Sequence, residues 1–147
     1  MQIVPGWHPI VVHFAVALSV SGAFALLASR CARDSAIARN AAVAGTVNLG
    51  SSAVFCLLAI MSGIGAVWDL HLSGAARIAV STHVIWAFFT TLAVLLLAIW
   101  RVFGAATDER PSGIFIAVML ATIAAVTVTA YLGGENVYRH GIGVLAR

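Results

Sequence analysis

PIVVHFAVALSVSGAFALLAS, residues 9–29, is the stretch that decides the fold. It contains no Asp, Glu, Lys or Arg, and it is as long as the roughly 20 residues a helix needs to cross about 30 Å of hydrocarbon. Three more runs of the same kind follow, at residues 41–67, 78–100 and 113–132, again without a formally charged side chain. In hydrocarbon the backbone must satisfy its own hydrogen bonds, which a helix does within one segment. The reading is therefore an all-α integral membrane protein, a four-helix bundle forming one transmembrane domain over residues 1–147. Short polar connectors place sequential helices antiparallel. Composition agrees: 62% of residues are hydrophobic and 9% charged, against about 25% charged in soluble domains.

Net charge is +3, and all eight basic residues are arginine. They are scattered, with no basic stripe or aromatic interleaving, so no nucleic-acid partner is expected. No basic residue precedes the first apolar run, so a cleavable signal peptide is not expected either. Arg30, Arg33 and Arg39 lie around the first connector, and Arg101 and Arg110 around the third; Arg77, Arg139 and Arg147 lie on the opposite side. Basic residues favour the cytoplasmic face, which places both termini in the periplasm of a bacterial inner membrane. Trp7, Trp68, Tyr131 and Tyr138 mark one interface, and Trp100 and Phe103 the other. Cys31 and Cys56 fall at different depths and form no CxxC, so both are expected as free thiols.

The polar residues that matter are five histidines, His8, His13, His71, His83 and His140, all at one end of such a bundle. Ionisable residues within spans are costly and tend to mark ligand, ion or electron pathways. Imidazole is a common ligand of haem iron and other transition metals. His13 and His83 lie at similar depths on helices one and three, which run in the same direction. They are the first expected axial pair for a haem b. Ala15, Ala17, Ser21, Ser81, Ala87 and Thr91 supply small neighbours. The plain alternative is that each imidazole hydrogen-bonds a backbone carbonyl.

A second pair, and a second haem, would draw on His8, His71 and His140, with Gly133-Gly134 and Gly141-Ile142-Gly143 folding the tail back over the bundle. Arg77 and Arg139 are the expected partners of haem propionates, because guanidinium pairs with carboxylates in a bidentate way; snorkelling to the interface is the competing role. Asp69 and Glu135 could accept from imidazoles or relay protons to a quinone, but loop solvation is the preferred reading. Asn48, Thr46, Ser51 and Ser52, with Thr122, Thr127 and Thr129, read as interhelical hydrogen-bonding residues. No phosphate loop, GxSxG, HExxH or CxxCH motif occurs, so no independent enzyme is indicated and any haem is non-covalent.

Two end motifs, His8-Pro9-Ile10-Val11-Val12-His13-Phe14 and Gly133-Gly134-Glu135-Asn136-Val137-Tyr138-Arg139-His140-Gly141-Ile142-Gly143-Val144, resemble the bacterial membrane family catalogued as domain of unknown function 2231. The resemblance spans essentially the whole chain. It implies motif roles for His8, His13, His83 and His140, with His71 a fifth candidate; Ala15 stands where proline is common. It also implies a redox context, since some relatives look joined to c-type cytochromes.

The resulting expectation is a cytochrome-b-like subunit carrying one or two b haems near the periplasmic face. It would pass electrons between the quinone pool and a periplasmic or complex-bound carrier. Expected partners are membrane lipid, quinone, other redox subunits or a c-type cytochrome, or a second copy of the chain. The alternatives are a copper- or zinc-binding membrane protein using the same histidines, and a cofactor-free structural subunit.

Overall fold

The structure, a computed structural model, describes residues 6–68, 71–104 and 106–143. It contains four helices: α1 (Trp7–Cys31), α2 (Ser35–Val67), α3 (Gly74–Gly104) and α4 (Gly113–Tyr138). All four are long and apolar enough to cross a membrane, as the hydropathy of the chain requires. Each extends beyond its apolar run or matches it at one end only. At about 1.5 Å per residue, they exceed the hydrocarbon thickness and carry polar turns at their ends.

Local chemistry sets those ends. Pro9 is the third helical residue of α1 and not its first. It is tolerated there because first-turn N–H groups have no intrahelical acceptor. α2 starts six residues before its apolar run, where Asp34 caps it: Oδ1 accepts from Ala36 N at 2.8 Å and Ile37 N at 2.9 Å. Ser112 caps α4 by accepting from Phe115 N. α4 also runs straight through Gly133-Gly134 to Tyr138, so these glycines do not fold the tail back. The reversal comes later, at Gly141, whose φ of 65° suits a residue without a Cβ.

Contacts follow the cyclic order α1–α2–α3–α4–α1, which leaves α1 and α3 diagonal to each other. The α1–α2 interface is the most extensive and is built from small residues. A Cβ on Gly45 would lie 2.6 Å from Leu26 Cγ and 3.0 Å from both Gly22 O and Leu26 N. The backbones thus approach too closely for any larger residue, the usual mode of packing where no water drives association. Ser19 and Ser52 hydroxyls pair across this interface, and Ser52 also donates to Ala15 O at 3.1 Å. Asn48 Nδ2 donates to Ser21 Oγ. Between α3 and α4 the hydroxyls of Thr90 and Thr129 lie 2.8 Å apart. Thr122 and Thr127, by contrast, bond carbonyls of their own helix.

Arg101 is buried, at 2% exposure, and is not a free connector charge. Its Nε donates to Thr46 Oγ1 at 3.0 Å, and Nη2 donates to Thr107 O at 3.0 Å and Glu109 O at 2.6 Å. A cation from α3 thereby ties α2 to the connector before α4. Cys31 is exposed and Cys56 buried, both as free thiols.

Candidate functional site

Inward-facing residues recur at alternating spacings of three and four along every helix, and this register sorts the histidines. On α1 the line is His8, Val12, Ala15, Ser19, Gly22 and Leu26; on α3 it passes through Val80, His83, Ala87, Thr90 and Val94. His8 and His83 are half-buried on these lines. Both stand at the same end of the bundle, near the N-termini of α1 and α3. His13 is five residues from His8, hence about 140° around the helix. It faces outward, and its Nδ1–H donates to Pro9 O at 2.6 Å on its own helix. The inward histidine of α1 is therefore His8.

Both inward rings are held in the same way. His8 Nδ1 lies 3.1 Å from Ala59 O and 3.1 Å from Ser62 Oγ on α2. His83 Nδ1 lies 3.2 Å from Thr129 O on α4. A carbonyl can only accept, so Nδ1 carries the proton in each ring and Nε2 keeps its lone pair. Each ring also rests against a glycine one helical turn beyond its carbonyl partner. A Cβ on Gly63 would come within 3.0 Å of His8 Cε1, and one on Gly133 within 3.1 Å of His83 Cε1. The two helical hairpins thus repeat one arrangement: an inward histidine, a carbonyl acceptor, and a glycine four residues after it. Gly133 was expected only to help fold the tail back, and neither glycine as the seat of an imidazole ring. The register of the inward lines is the signal that assigns them.

The remaining expected residues are placed differently. His140 is half-buried just past α4, continuing the line through Thr129, Gly133 and Asn136, while His71 is exposed between α2 and α3. Arg77 is exposed on α3. Arg139 is exposed and pairs with Glu135 at 2.9 Å, beside Tyr131 and Tyr138 on the outer side of α4. Ala15 and Thr91 are buried as small neighbours, but Ala17, Ser21 and Ser81 face outward. Asp69 and Arg147 lie outside the described residues. Asn136, which sequence reasoning passed over, is buried, and its Oδ1 has no hydrogen-bond partner among the described residues.

Two imidazoles with proton-free Nε2 atoms, each oriented through Nδ1, form the arrangement found behind metal-bound histidines, where the second nitrogen donates to a carbonyl or carboxylate. Among the described residues no three His, Cys, Asp or Glu side chains converge on one point. The family model of a predicted membrane protein, DUF2231, matches residues 5–146. No curated protein and no solved structure matches the chain.

Proposed function

We propose, from the premise that this chain belongs to the DUF2231 family of predicted membrane proteins, that it is a b-type haem protein of the membrane, an electron-transfer subunit. The observation that carries the proposal is that His8 and His83 both turn inward at the same end of the bundle. They stand on diagonal helices, with Nδ1–H bound to Ala59 O and Thr129 O. A closed structural zinc site needs four protein ligands, whereas haem brings four nitrogens and asks the protein only for axial ligands. A two-histidine set with no third convergent ligand among the described residues favours haem over zinc or copper. Absence of a sulfur-rich ligand set also disfavours Cu(I), which prefers soft donors.

Haem b, when bound, supplies one-electron redox chemistry, while the protein sets ligation, burial and access. Ala59 O and Thr129 O fix each ring's tautomer and plane. Gly63 and Gly133 let each ring sit against the neighbouring helix, and the apolar bundle excludes water. His8 and His83 take over the axial role first expected of His13 and His83. His140, half-buried on the α4 inward line, is the better placed of the two remaining candidates for a further ligand. Placed near the periplasmic face of a bacterial inner membrane, the site would exchange electrons with the quinone pool. The other side of the exchange is a c-type cytochrome or another redox subunit, and a second copy of the chain is a further candidate neighbour.

The test is a dithionite-reduced minus oxidised visible spectrum of the detergent-purified chain, with haem quantified as pyridine haemochrome. A b-type α-band lost in both His8→Ala and His83→Ala supports the reading. A folded but colourless protein, expressed with ample haem, refutes it and leaves metal binding or a cofactor-free structural role.

A further inference from the structure

We infer that Asn136 is the polar anchor for the carboxyl edge of the group held by His8 and His83, an inference that rests on the haem reading above. Asn136 is 6% exposed, and its Oδ1 has no partner among the described residues. Buried amides normally find partners, so an orphaned one points to a group that belongs beside it. The residue continues the inward line of α4 one turn beyond Gly133, against which the His83 ring rests. Its backbone is held in place, because its carbonyl accepts from Ile142 N at 2.9 Å where the chain turns at Gly141.

The chemistry selects the carboxyl edge. Asn136 stands between the ring contact and the near membrane surface, the direction in which the polar edge of an otherwise apolar macrocycle avoids hydrocarbon. In a site screened from water a carboxyl group tends to keep its proton. A protonated carboxyl donates to Oδ1 and accepts from Nδ2, so one amide answers both of its oxygens. The arginines first expected in this role are worse placed. Arg77 is exposed, and Arg139 is exposed and engaged by Glu135.

The inference is tested by titrating the detergent-purified full chain, wild type and Asn136→Leu, with haem b and with haem b dimethyl ester, whose carboxyls can no longer donate. For haem b, Asn136→Leu should weaken binding about tenfold, the worth of one such hydrogen bond. For the dimethyl ester the loss caused by Asn136→Leu should be smaller, because the ester still accepts from Nδ2 but has no proton to give to Oδ1. Haem-free Asn136→Leu should unfold at the same or a higher temperature than wild type, since an unpaired buried amide has been replaced by an apolar side chain of similar size.

Equal losses on both ligands would overturn the inference while leaving the haem reading intact. So would a lower unfolding temperature of the haem-free variant, which would make Asn136 a structural residue. Asn136→Gln, which keeps the amide but displaces it, should weaken haem b binding less than leucine does; a larger loss with glutamine would also overturn it. Wild type that takes up no haem at all would remove the haem reading and this inference together.

Discussion

Replacing Gly133 with alanine is the sharpest perturbation of the proposed site. The new Cβ would sit 3.1 Å from His83 Cε1 and 3.6 Å from Nδ1, inside ordinary van der Waals contact of about 3.5–4.0 Å. The ring must therefore retreat by several tenths of an ångström. Its hydrogen bond to Thr129 O already spans 3.2 Å, and by about 3.6 Å it is no longer a hydrogen bond. Losing the partner that orients a metal-bound histidine typically costs about 10–100-fold in affinity, so haem affinity should fall by that order. Gly134→Ala is the internal control: it is the next residue of the same helix, and its Cβ would meet only Tyr138 Cδ2, at 4.0 Å. Both substitutions gain similar helix propensity, so the difference between them isolates the ring contact. Haem titration followed by absorbance reads the affinity, with circular dichroism confirming helix content. Equal effects of Gly133→Ala and Gly134→Ala would refute the reasoning.

Gly63→Ala and Gly65→Ala should behave as a matching pair on α2, because Gly63 backs His8 whereas a Cβ on Gly65 meets nothing within 4 Å; haem titration again distinguishes them. His13→Ala should retain the b-type spectrum that His8→Ala and His83→Ala lose, since its ring faces outward and bonds its own helix. Gly45→Ala should destabilise the bundle by about 1–3 kcal/mol through overpacking, while Gly50→Ala, which meets nothing within 4 Å, should be neutral or stabilising in thermal unfolding in detergent. Arg101→Met should cost at least about 2 kcal/mol, because it strips the donors from Thr107 O and Glu109 O. Limited proteolysis between α3 and α4 should then speed up, and an unchanged cleavage rate would count against this tie.

Hydropathy alone was sufficient to place the membrane spans, because length without charge has one cheap solution in hydrocarbon, a helix that satisfies its own backbone. Apolar runs could not locate the helix ends, since caps such as Asp34 and the polar turn through Glu135 and Asn136 lie outside them. Histidine depth was legible from residue counting, but depth does not specify direction. His8 and His13 differ by about 7.5 Å in depth and by about 140° in facing, and the facing is settled by the close approach of α1 to α2 along Gly22 and Gly45.

Arg101 shows the same division. Its place near the end of an apolar run marks a membrane boundary, yet its burial follows from Thr46, 55 residues away in the chain, meeting Thr107 and Glu109 of the following connector around it. The sequence by itself determined what the chain must be in, a bilayer, because transfer free energy adds up residue by residue. Only the tertiary structure decided which imidazoles turn inward, which glycines receive them and which amide oxygen lacks a partner among the described residues, because those depend on how the helices rotate and how closely their backbones approach.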